Sequence, residues 1–144
     1  GTANAGKVIE SIKNGEKQFE LSDCPDLAPI AFAVAAINNG ALFTGTARLK
    51  IKESDRAMAM ASELSKMGIE LVVKDNSVEV LSGEINFPTT PIFAHNDHRI
   101  VMSLAVLCTL TGGIIENAEA VTKSFPEFFN LLKSLNIGIE IYED

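Results

Sequence analysis

Apolar residues along this 144-residue chain change period several times, and each change marks an element. Val8, Ile9 and Ile12 give residues 5–14 a weak amphipathic pattern, and residues 18–21 read as extended. Leu27, Ile30, Val34 and Ile37 then recur at helical spacing. Pro25 suits the first turn of that helix and Asn38-Asn39-Gly40 its stop. A short strand is expected over 41–46. A helix over 54–67 comes next, with Met58, Ala61, Leu64 and Met67 as its buried stripe and Gly68 as its end. Residues 69–73 and 78–81, joined through Lys74-Asp75-Asn76-Ser77, read as a hairpin.

The second half repeats this order. Asp97 opens a helix that runs to Thr111 and is stopped by Gly112-Gly113. A strand is expected over 114–116, a helix over 124–136 and a strand over 137–141. The offsets agree: Asp26 to Gly40 is 14 residues and Asp97 to Gly112 is 15, while Lys52 to Gly68 is 16 and Lys123 to Gly138 is 15. The expected architecture is therefore α/β (α+β), with a helix, strand, helix, strand unit repeated over 23–83 and 93–142, the first copy carrying an extra hairpin strand. One copy leaves an apolar helix face uncovered; two share a core.

Composition narrows the class. With 47% hydrophobic and 22% charged residues the chain can bury a core. A net charge of −7 argues against nucleic acid, whose phosphate backbone calls for a basic stripe, although a few focused cations can still hold a small anion. Cys24 and Cys108 are too few for a disulfide framework and lack zinc-site spacing, so both are expected to be reduced and no metal is expected. The longest apolar stretch, 100–110, is well short of the roughly 20 residues that span a bilayer. No signal peptide is visible, so a cytoplasmic location is expected. The chain begins Gly1-Thr2-Ala3-Asn4, as a fragment of something longer would.

Three polar clusters sit where elements meet: Lys52-Glu53-Ser54-Asp55-Arg56, Asn96-Asp97-His98-Arg99 and Lys123-Ser124-Phe125-Pro126. Each has a plain structural reading. Asp26 is a first-turn acid favoured by the helix dipole; Ser54 is an N-cap with Asp55 in the first turn; Ser124 is an N-cap with Pro126 and Glu127 behind it. The competing reading is a site, because helix N-termini welcome anions and the repeat places Asp26, Glu53, Asp97 and Lys123 near four helix starts. Cations at a helix start, as at Arg56, His98 and Arg99, oppose the dipole unless an anion compensates them. The sequence suggests no partner for His95, which is expected to be exposed. There is no glycine-rich phosphate loop and no serine elbow.

At these residues the chain resembles the C-terminal part of the 5-enolpyruvylshikimate-3-phosphate synthase family, the enolpyruvyl transferases of the shikimate pathway to chorismate and the aromatic amino acids. The resemblance rests on Asp23-Cys24-Pro25-Asp26-Leu27-Ala28-Pro29, Lys52-Glu53-Ser54-Asp55-Arg56, Asn96-Asp97-His98-Arg99-Ile100-Val101-Met102 and Lys123-Ser124-Phe125-Pro126, in the family's order. The sister enzyme acting on UDP-N-acetylglucosamine is not similar at the second and fourth of these. The resemblance implies an inside-out barrel of βαβαββ units, about two of them present, making residues 1–144 a partial enolpyruvyl transferase domain.

It also implies an activity and its residues. Phosphoenolpyruvate and shikimate 3-phosphate would give enolpyruvylshikimate 3-phosphate and phosphate, with no cofactor or metal. Asp26 would be the proton acceptor at the shikimate hydroxyl and Glu53 the acid/base at the enol methylene. Lys52 would bind the shikimate side, Arg56, Arg99 and Lys123 would clamp phosphoenolpyruvate, and His98 would support them. Arg48 departs from some members' polar amide, so no contact is assigned to it. Much of the shikimate 3-phosphate site would lie in the missing N-terminal part, leaving the fragment alone inactive. The alternative is a non-catalytic α/β domain that binds an anion.

Overall fold

The computed structural model describes residues 2–51, 54–122, 124–135 and 137–140. The expectations for Lys52, Glu53 and Lys123 lie outside the described residues. The first half runs α1 (Thr2–Lys13), β1 (Gln18–Glu20), a tight turn at Pro25–Leu27, α2 (Ala28–Ile37) and β2 (Ala41–Thr44). A second tight turn then leads to α3 (Arg56–Lys66), β3 (Leu71–Val73) and β4 (Ser77–Val80). The second half runs β5 (Ile92–Phe93), α4 (His98–Thr111), β6 (Ile115–Glu116), a tight turn at Ala118–Val121 and α5 (Phe128–Ser134).

Each half contains a parallel strand pair joined across a helix. β1 pairs with β2 in parallel, Phe19 facing Phe43, and α2 is the crossover that parallel pairing requires. β4 adds antiparallel to β2 and β3 antiparallel to β4, giving the order β1-β2-β4-β3. In the second half β5 and β6 pair in parallel across α4.

α2 lies at the centre. It is apolar on nearly every side, and Ala28, Ala31, Ala33, Ala35 and Ala36 are all buried, so small side chains let α1, α3 and α4 approach it closely. Phe32 meets Phe43 of β2 edge-on at 5.2 Å, and Phe43 stacks on Phe19 at 5.6 Å. This explains why Ile37, on the expected helical period, ends up exposed: the alanine and phenylalanine faces took the interior.

Three further expectations change. The buried stripe of α3 is Ala57, Met60, Leu64 and Met67, whereas Met58 is 55% exposed. Leu64 and Met67 stay inward, so the buried face is turned only by a fraction of a turn, toward Arg56 and Glu63, which are buried with it. α5 begins at Phe128, not at 124, because Phe125 precedes Pro126 and is thereby disfavoured from helical geometry; residues 124–128 form successive turns instead. Residues 137–140 are not in a strand: the Ile137 N–H donates back to Leu132 O at 3.2 Å, closing the end of α5.

No helix among the described residues is long and apolar enough to cross a membrane.

The turn after α2 is tight enough to be tested. Gly40 has φ +87°, and a Cβ there would lie 2.2 Å from Val80 O of β4. Lys17 Nζ donates to the Asn38 and Gly40 carbonyls, holding the same turn from the other side. Gly40→Ala is expected to lower stability by about 1–3 kcal/mol, read as a fall in the urea midpoint.

Candidate active site

The starts of α2, α3 and α4 converge, and a buried arginine joins them. Arg56, first residue of α3, is 2% exposed. Its Nε donates to Asp97 Oδ2 at 2.8 Å and Nη2 to Asp97 Oδ1 at 3.2 Å, while Nη1 donates to Asp26 Oδ1 at 2.8 Å. Asp97 is wholly buried and is also the N-cap of α4, accepting from the Arg99 N–H at 3.0 Å; Ser54 Oγ donates to its Oδ2 at 2.8 Å.

Burial pushes the Asp97 carboxyl up, but hydrogen bonds from Arg56 and Ser54 and the Arg56 charge outweigh it and hold the group below the usual range. Burial likewise opposes the charge on Arg56, and the two carboxylates more than restore it. The pair is therefore fully ionic in a dry setting. Such a pair adds little over an apolar one, yet losing one partner is costly because the other charge stays buried.

Asp26, by contrast, has a side chain 55% exposed. It borders a cleft of about 210 Å³ with Pro29 and Ile30 of α2, Arg99, Met102, Ser103 and Val106 of α4, and Phe128, the first residue of α5. Arg99 lines this cleft, and its Nε is buried with no hydrogen-bond partner among the described residues. An orphaned guanidinium donor costs free energy, and an anion in the cleft would satisfy it. His98 is half-buried in the first turn of α4. Arg48 is exposed, with Nη1 3.4 Å from Ser22 O.

Two sequence expectations are corrected. The N-cap of α3 is Asp55, whose side chain accepts from the Met58 N–H, which releases Ser54 to bond Asp97. His95 is not simply exposed: Nε2 bonds Glu63 Oε2 at 2.8 Å, and the ring packs edge-on against Phe93. Glu63, with a side chain 2% exposed, is the residue that sequence reasoning missed. Its signal was a carboxylate between Met60 and Leu64 on the buried face of α3. Asp97 was read as a helix opener, but its role as receiver of Arg56 depends on tertiary placement.

The family model for EPSP synthase (3-phosphoshikimate 1-carboxyvinyltransferase) matches residues 2–132. The chain belongs to the EPSP synthase family. A 3-phosphoshikimate 1-carboxyvinyltransferase of Clostridium kluyveri is 41% identical over 126 residues, covering 85% of this chain and 29% of the relative. One from Natronomonas pharaonis is 41% identical over 123 residues, covering 83% and 28%. The solved EPSP synthase of Acinetobacter baumannii superposes with a TM-score of 0.71 at 32% identity, over 85% of this chain and 29% of that one. The chain thus has the α/β fold of the EPSP synthases over the part it spans, less than a third of the length of these relatives.

The ionic hub gives a signed pH dependence. Because the folded pKa of Asp97 lies below the unfolded value of about 3.9, its contribution is complete above that value and is lost as pH falls through the folded pKa. Asp97→Asn is expected to lower stability by about 3–5 kcal/mol at pH 7. The difference from the unsubstituted chain should shrink below about pH 4. Urea unfolding between pH 7 and pH 2 reads both.

Proposed function

We propose that this chain is part of an enolpyruvyl transferase that moves the enolpyruvyl group of phosphoenolpyruvate to the 5-hydroxyl of shikimate 3-phosphate and releases phosphate, in aromatic amino acid biosynthesis in the cytoplasm. The observation that carries the reading is that Arg99, which lines the cleft bordered by Asp26, has a buried Nε with no hydrogen-bond partner among the described residues. Membership of the EPSP synthase family supports a phosphate- and carboxylate-bearing substrate as the anion for that cleft. The strand, helix, strand order found on both sides of residue 90 supports two related units, 23–83 and 93–142.

In this mechanism Asp26 accepts the proton of the 5-hydroxyl as its oxygen bonds to the central carbon of phosphoenolpyruvate. Glu53 protonates the methylene, giving a tetrahedral adduct with a methyl group. Glu53 then removes a methyl proton as the carbon–oxygen bond to phosphate breaks, which regenerates the double bond, and the proton taken up by Asp26 leaves with the phosphate. Two carboxylates in different surroundings suit this division of work.

Arg99 and Lys123 hold the carboxylate and phosphate, with Arg56 at their edge, while Lys52 takes the shikimate side and His98 supports the cluster. Arg56 keeps its bidentate grip on buried Asp97. Its Nη1 bond to half-exposed Asp26 is the one a substrate carboxylate exchanges. The rest of the shikimate 3-phosphate site lies on the missing part of the parent enzyme, so the fragment alone holds half a cleft.

In the full-length enzyme Glu53→Gln is expected to cut kcat by about 100-fold or more with folding intact, and near-normal turnover would rule that role out. The separated chain is expected to release no phosphate from the two substrates. Turnover by it alone would overturn the half-cleft. Binding of phosphoenolpyruvate without turnover, even by the full-length protein, would favour a non-catalytic anion-binding domain.

A further inference from the structure

A second buried carboxylate lies two turns along α3 from Arg56. Glu63 Oε1 accepts from the Phe93 N–H at 2.7 Å and from Lys66 Nζ at 2.6 Å, and its Oε2 bonds His95 Nε2 at 2.8 Å. Lys66 Nζ also donates to Pro91 O at 3.1 Å. One face of α3 thus grips the backbone or side chains of residues 91, 93 and 95.

The gripped segment leads directly into the start of α4. His95 and Asn96 have φ of 54° and 53°, so the chain turns through two consecutive left-handed residues before entering Asp97. A positive φ is uncommon outside glycine, although Asn and His adopt it more readily than most residues, and surrounding bonds help to hold it. Here the surroundings include Glu63 on His95 and Asn117, whose side-chain oxygen accepts from the Asn96 N–H. Asp97 then receives Arg56 from the start of the same α3 helix. Helix α3 therefore holds residues 91–97 from both its ends, through Glu63 and Lys66 near its C-terminus and Arg56 at its start, and these contacts bear on how α4 enters the site and where Arg99 lies.

We propose that Glu63, with His95, is a positioning pair that orients the Asp97–Arg99 helix start toward the anionic substrate. Neither residue lines the cleft, so the effect is exerted through the left-handed turn. The inference rests on the proposed substrate only for its kinetic consequence; the coupling between Glu63 and the Arg99 amide stands apart from it.

The test uses the full-length enzyme with Glu63→Ala, Glu63→Gln and His95→Phe. Leu64→Ala, in the buried core of the same helix, serves as a control for simple loss of stability. Glu63→Ala is expected to raise KM for phosphoenolpyruvate by about tenfold or more. Glu63→Gln, which keeps an acceptor for the Phe93 N–H, is expected to recover most of that, and Leu64→Ala to leave KM near its starting value.

Amide hydrogen exchange, read on the same proteins without substrate, is expected to show protection lost at Phe93 and Arg99 together in His95→Phe and Glu63→Ala. Loss at Phe93 with Arg99 unchanged would overturn the coupling, as would an unaltered KM in Glu63→Ala. If the unsubstituted enzyme neither binds nor converts phosphoenolpyruvate, the proposed activity fails, and the exchange result alone decides the positioning role.

Discussion

Everything at the site depends on Arg56 remaining charged inside the protein. A guanidinium 2% exposed is tolerable only because a wholly buried carboxylate meets it with two parallel hydrogen bonds and a second carboxylate meets its remaining edge. The pair fixes three helix starts against one another. Asp97 caps α4 while it binds the first residue of α3, and the same arginine reaches Asp26 just before α2. Three positive helix ends would otherwise repel one another; the two carboxylates between them neutralise the fields and set the spacing.

That arrangement divides the site into a permanent part and an exchangeable part. Asp97 is sealed and saturated, with Ser54, Arg56 and the Arg99 amide all directed at it. Asp26 and Arg99 differ from it: the side chain of the first is half exposed to water, and the second carries a buried nitrogen with no partner among the described residues. A rigid base beneath a rim open to the cleft is an arrangement suited to preorganised binding of an anion, since only the rim would have to change partners.

Much of this was legible in the sequence. Most of the order of elements came from period changes, and three helix stops from Gly40, Gly68 and Gly112, all at positive φ; the parallel pairs and strand β5 did not. The ordered motifs pointed to the cluster around Asp26, Arg56 and Arg99. What periodicity could not see was rotation and partnership. Whether Met58 or Met60 faces inward depends on burying two charged residues of α3, and local pattern ranks charged residues as surface. His95 and Glu63 are 32 residues apart, and no spacing rule links them. The end of the chain was over-read because Ile137 and Ile139 alternate as strand residues do, yet the described residues 137–140 form no strand, and the Ile137 N–H closes the end of α5.

The sequence distances spanned by the central hydrogen bonds have a kinetic meaning. Arg56 reaches Asp26 across 30 positions and Asp97 across 41, while Ser54 reaches Asp97 across 43. Loop closure over such lengths has to be completed before any of these bonds can form, and each then arises only when two helices are already docked. Secondary structure in this chain can therefore precede its chemistry by a wide margin. A collapsed intermediate with every helix in place but α4 undocked would carry its charges scattered and solvated, with no vestige of an anion site.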